Sequence, residues 1–104
     1  MNTARLTRRG RLHASKFNKT LLPSAMAYYT REGLKLVGRG DWRSALCPFH
    51  GDKHPSLRVN IHTGGFRCMV CDARGGDVLA FHRMRTGLGF IEAAKALKAW
   101  EVSR

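Results

Sequence analysis

Four residues in two short pairs restrict this chain more than any other feature: Cys47-Pro48-Phe49-His50 and Cys68-Met69-Val70-Cys71, written together Cys-x2-His-x17-Cys-x2-Cys. Each pair at that spacing spans one tight knuckle, and two knuckles separated by a hairpin-length insert converge on the four corners that a tetrahedral zinc ion requires. Three thiolates and one imidazole make a closed structural site, with no open position for a water nucleophile. The candidate ligands are therefore Cys47, His50, Cys68 and Cys71, holding one structural zinc. His54 and His62 compete with His50 for the fourth place. His54 would make an uneven pair and precedes Pro55, and His62 falls at the far end of a hairpin, so His50 is the expected ligand. The competing reading of the thiols is a Cys68–Cys71 redox pair.

Three cysteines, an odd number, do not make a disulfide framework, and no apolar signal segment opens the chain. A reducing, cytoplasmic setting is expected, in which cysteine spacing reads as metal binding before crosslinking. The 104 residues allow one domain with a modest core. Nineteen Lys and Arg against seven Asp and Glu give a net charge of +12, which implies a polyanionic partner, nucleic acid first. A membrane surface is the weaker alternative, because no run of even a dozen apolar residues is present to insert into a bilayer.

Residues 1–20 are basic, free of acids and without helical or strand period, and read as a flexible arm; residues 21–104 read as the folded domain. Arg5, Arg8, Arg9 and Arg11 would give that arm a general attraction for phosphate. Its composition also resembles a mitochondrial transit peptide. A short helix is expected after Pro23-Ser24, with Leu22, Met26, Tyr29 and Leu34 at roughly helical spacing. A first hairpin is expected around Gly38-Arg39-Gly40-Asp41, and a second from Leu57 to Cys68, turning at Thr63-Gly64-Gly65. Asp77 is placed to cap a helix that Gly87 ends. The segment "FIEAAKALKAWEV" continues in helix-forming residues as far as Val102. The expected fold is α+β: a small zinc ribbon of antiparallel hairpins with flanking helices.

With those residues in place, the chain resembles the zinc-binding domain of bacterial-type DNA primases, over roughly residues 22–98. "CPFHGDKHPSLRV" is similar to that family's Cys-Pro-Phe-His-x-Glu-Lys-x-Pro-Ser-Phe, and "FRCMVCDARGGDVLAF" to its Phe-x-Cys-Phe-x-Cys followed by Gly-Gly-Asp. Asp52 stands for the family's Glu, Leu57 for an aromatic, and Met69-Val70 for Phe-Gly. The resemblance implies binding of single-stranded template DNA during primer synthesis, with a catalytic primase domain or a replicative helicase as partner, and no small-molecule substrate. A bacterial chain, encoded by the genome, a phage or a plasmid, is expected. The family's catalytic part holds divalent metal on clustered carboxylates. Here Asp41, Asp52, Asp72 and Asp77 include no Asp-x-Asp pair, so the chain is expected to polymerise nothing alone.

Strand alternation sets Leu57, Val59 and Ile61 against Arg58, Asn60 and His62. The candidate DNA contacts are Arg58, Asn60 and His62 with Lys53, Phe66 and Arg67 nearby, a basic face with an interleaved aromatic. Trp42, Tyr28 and Tyr29 could also stack on bases, but beside hairpin and helix patterns they read first as core residues. Two rivals remain: a zinc ribbon that docks on replication proteins, and a regulator of duplex DNA, for which no recognition-helix pattern is present.

Overall fold

The computed structural model describes residues 15–102. The basic side chains expected to attract phosphate at Arg5, Arg8, Arg9 and Arg11 lie outside them. The elements run β1 (Ser15–Phe17), a single 3-10 turn at Lys19–Leu21, α1 (Ala25–Arg31), β2 (Trp42–Ala45), β3 (Leu57–Asn60), β4 (Phe66–Cys68), β5 (Arg74–Gly75), α2 (Val78–Thr86), α3 (Phe90–Ala96) and β6 (Trp100–Val102). Four strands form an antiparallel sheet in the order β2-β3-β4-β5, and β1 pairs with β6 in a separate two-stranded ribbon. This is the α+β architecture expected from the sequence.

The helix ends follow their local chemistry. The Ser24 hydroxyl accepts the Ala27 N–H at 3.2 Å and starts α1, and the Asp77 carboxylate accepts the Ala80 N–H at 2.9 Å and starts α2. Gly87, at φ 78°, closes α2 in the left-handed conformation that a side chain disfavours. Once α2 is fixed there, Phe81 points into the core. It meets Tyr29, Phe66 and Phe49 at ring-centroid distances of 4.8, 5.0 and 5.1 Å. One phenylalanine thus joins α1, β4 and the first knuckle. Tyr29 keeps its hydroxyl satisfied in this core by donating to the Gly64 carbonyl at 2.6 Å.

Three expectations change. Residues 15–20 are not part of an arm: Ser15–Phe17 pair with Trp100–Val102, and the Asn18 N–H donates to the Ala99 carbonyl at 2.8 Å. The last helix stops at Ala96, because Lys98 turns to φ 61° and the Ala99 N–H closes back on the Ala94 carbonyl. Trp100 to Val102 are then strand, tertiary pairing with β1 overriding helix propensity. The first hairpin shrinks to one bridge, Val37 with Ser44. Gly38 and Gly40 do make its turn at positive φ, but the main partner of β2 is β3.

Candidate metal centre and the exposed sheet face

The sheet delivers the ligands. Cys47 lies two residues beyond β2, Cys68 ends β4, and Cys71 stands in the turn between β4 and β5. The donor atoms of Cys47, His50, Cys68 and Cys71 all lie within 4.8 Å of one another. Cys47 Sγ to Cys71 Sγ is 3.8 Å, and His50 Nε2 to Cys68 Sγ is 3.3 Å. A tetrahedral zinc with metal–sulfur bonds of about 2.3 Å sets its sulfurs about 3.8 Å apart. The donor set and its spacing therefore fit one structural zinc, whose chemistry is that of a crosslink between the two knuckles.

The surroundings prepare the donors. Burial would push the Cys68 thiol up. The Cys71 N–H, Ser56, the Val70 N–H and His50 outweigh burial and bring the thiol down to about 6. The Val70 and Cys71 N–H groups both sit 3.4 Å from Cys68 Sγ, the signature of a tight metal knuckle. Burial pushes Cys47 the other way, up to about 12, so this thiol keeps its proton at neutral pH until a metal ion displaces it. Asp52 ties the first knuckle together. Its Oδ2 accepts the Cys47 N–H at 2.8 Å, the Ser56 N–H at 3.2 Å and the Ser56 hydroxyl at 2.7 Å. These bonds, with His50 3.9 Å away, outweigh burial and hold its carboxyl at about 2. Ser56 Oγ in turn lies 3.3 Å from Cys68 Sγ. Asp52 and Ser56 are thus supporting residues of the centre. Spacing arguments do not find them, because their roles depend on how the 51–56 loop closes.

Of the candidate DNA contacts, the structure brings some together and separates others. Arg58 pairs across the strands with Arg67, and Arg67 with Arg74, all three exposed. Ser44 continues the row on β2 and accepts a hydrogen bond from Arg58 Nη1 at 2.8 Å. Asn60 opposes Trp42, which is 45% exposed rather than core. Tyr28 and Tyr29 are buried, as expected. His62 lies in the turn beyond β3, 2.9 Å from Asp41. Lys53 is not in the arginine row but in a cleft beside the first knuckle. Phe66 is a correction. It is 3% exposed and packs on Phe81, because its register partner is the buried Val59. The face therefore consists of Trp42, Ser44, Arg58, Asn60, Arg67 and Arg74. Arg74 was missed and Trp42 was placed first in the core, though the strand register sets both on this face. Asp72 bridges the row, 3.1 Å from Arg67 Nε and 3.9 Å from Arg74 Nη1.

Among the described residues no helix is long and apolar enough to cross a membrane. The family model for the CHC2 zinc finger, the zinc ribbon of DnaG type, matches residues 23–102. The DNA primase of Lactococcus lactis is 37% identical over 83 residues, 80% of this chain and 12% of that protein. The gene 58 protein of Mycobacterium phage D29 is 39% identical over 62 residues, 60% of this chain and 47% of that protein. The DNA primase of Geobacillus stearothermophilus is 44% identical over 66 residues, 64% of this chain and 11% of that protein. The chain thus spans from about a tenth to less than half of these relatives. With that model matching most of the chain and the Cys47, His50, Cys68 and Cys71 cluster lying within the matched residues, the chain belongs to the CHC2 zinc-finger family, a zinc module of the kind found in DNA primases.

Proposed function

We propose that this module binds single-stranded template DNA across the exposed face of β2 to β5 and serves primer synthesis together with a catalytic primase domain acting in trans. The observation that carries the reading is the arginine row. Arg58, Arg67 and Arg74 stand directly opposite one another on three neighbouring strands, about 5 Å apart strand to strand. Like charges in register destabilise a sheet, and Asp72 offsets only part of that cost. A polyanion offsets the rest. Trp42 at the edge offers a flat ring for a base, and stacking of this kind is worth about 1–3 kcal/mol per base while tolerating any sequence. The relatives named as DNA primases supply the context of replication.

Among the described residues the one group of three or more candidate metal ligands is the Cys/His centre. In this reading the module's contribution is positional: a strand held on the face becomes a local, oriented reactant for a neighbouring active site. Met69 and Val70, exposed at the tip of the second knuckle, offer an apolar surface to that partner.

The test is binding of a labelled oligo(dT) at two salt concentrations, followed by primer synthesis with a catalytic primase domain lacking its own ribbon. Arg58→Ala with Arg67→Ala is expected to weaken single-strand binding about tenfold or more and to flatten its salt dependence by about 0.7 for each phosphate no longer neutralised. The mixture is expected to start primers faster than the catalytic domain alone, and a His50→Ala variant is expected not to stimulate. Unchanged affinity of the double variant, with binding abolished by deletion of residues 1–14, would move the function from the sheet to the arm.

A further inference from the structure

A second basic site lies away from the arginine row. Between the C-terminal end of α1, the first knuckle and α2 there is a cleft of about 610 Å³, within the size range of small-ligand sites. Lys35, Lys53 and Arg85 line it from three separate segments, all exposed. None of the ion pairs among the described residues involves any of these three cations. Two carboxylates, Glu32 and Asp52, also line the cleft, the latter with its Oδ2 turned to Cys47 and Ser56. The three basic side chains therefore exceed the acidic ones in the lining by one.

Its walls are apolar in an unusual way. Leu46 is 53% exposed and Val37 39% exposed, and both face the cleft together with Pro48 and Pro55. Leu46 directly precedes the ligand Cys47, so the zinc knuckle holds its backbone in place whatever the side chain does. An exposed apolar surface rimmed by cations marks a binding site more than a solvated face.

The geometry points to this cleft as a non-catalytic site for a free nucleoside polyphosphate, its phosphates held by Lys35, Lys53 and Arg85 and its ring laid on Leu46, Val37 and the prolines. Three cations from three segments suit a chain of phosphates better than a single phosphate. An apolar wall suits the face of a ring, and the side chains of Leu46, Val37, Pro48 and Pro55 carry no donors or acceptors to tell one base from another. The sequence-based expectation of no small-molecule substrate does not extend to such a non-catalytic ligand. It does not depend on the DNA-binding reading of the sheet, whose residues are different ones.

Calorimetric titration of the zinc-loaded full chain tests it, with ATP, GTP, CTP, sodium tripolyphosphate and adenosine as probes. The three nucleotides are expected to bind within about threefold of one another, tripolyphosphate more weakly, and adenosine not measurably. Lys35→Ala with Arg85→Ala is expected to weaken ATP about tenfold or more, on the scale of removing a charge-assisted hydrogen bond. Leu46→Ser is expected to weaken ATP but leave tripolyphosphate unchanged, with zinc content intact. Arg58→Ala with Arg67→Ala is expected to leave ATP binding unchanged and to affect only oligo(dT). The proposal is overturned if ATP binding follows Arg58 and Arg67 instead of Lys35 and Arg85, if Leu46→Ser has no effect on ATP, or if no nucleotide binds at millimolar concentration.

Discussion

At the scale of single residues, the centre depends on more than its four donors. Asp52 accepts three hydrogen bonds, one of them from the backbone of the ligand Cys47, and such supporting interactions typically account for 10–100-fold in metal affinity. Asp52→Ala is accordingly expected to weaken zinc binding by about 10- to 100-fold while keeping one zinc per chain at saturating metal, measured by competition with a chromogenic chelator. An affinity equal to that of the unaltered chain would mean that the loop is held by other interactions. The four donors were legible because a tetrahedral metal constrains spacing along the chain. Asp52 and Ser56 were not, since their hydrogen bonds exist only after the loop has closed. Phe66 was misplaced for a different reason. Phe66 and Arg67 are neighbours in one strand and must point to opposite faces, so both could never belong to the DNA-facing surface. Which one points out is decided by the length of the Ile61–Gly65 turn, and that sets Phe66 opposite Val59.

Among the elements, α1 and α2 were readable from their ends, because Ser24, Asp77 and Gly87 act on backbone groups within three or four residues. The β1–β6 ribbon was not readable. It joins Phe17 to Trp100, far apart in sequence, and three residues of strand carry too little pattern to stand out against a basic arm on one side and helix formers on the other. The closest fit between elements is where β5 meets α2. A Cβ on Gly75 would stand 2.5 Å from Ala80 Cβ and 2.7 Å from Phe66 Cε1. Neither neighbour has room to move, as Ala80 sits in the first turn of α2 and Phe66 is wedged against Phe81. Gly75→Ala is therefore expected to destabilise the fold by about 1–3 kcal/mol, seen as a lower denaturant midpoint for the zinc-loaded chain. A midpoint that does not fall would show that β5 and α2 are not packed in this way. The matching change at Gly76, where an added Cβ meets nothing within 4 Å, is the control.

For the whole molecule, the question is whether metal and apolar core are one cooperative unit or two. Phe49 lies between the ligands Cys47 and His50 and also packs on Phe81 at 5.1 Å, so the first knuckle is part of the aromatic core. Cys68 ends β4, whose Phe66 packs on the same Phe81 at 5.0 Å. Losing the metal leaves both knuckles without their crosslink, and Phe81 then loses the two rings those knuckles hold against it. A core this small has little in reserve, and in small zinc domains metal binding and folding are one transition, with apparent energies on the order of 10–16 kcal/mol. Chelation at neutral pH is expected to abolish the near-ultraviolet aromatic signal and oligo(dT) binding in the same step, and zinc to restore both. The direction with pH follows from the ligands. Cys47, which burial keeps protonated up to about 12 without metal, must release its proton when zinc binds. Apparent zinc affinity is thus expected to fall as pH is lowered, and titrations in buffers of different ionisation enthalpy are expected to report at least one proton released per zinc. An aromatic signal that survives chelation while oligo(dT) binding is lost would show that the helices and Phe81 fold without the centre, leaving zinc to organise the sheet face alone.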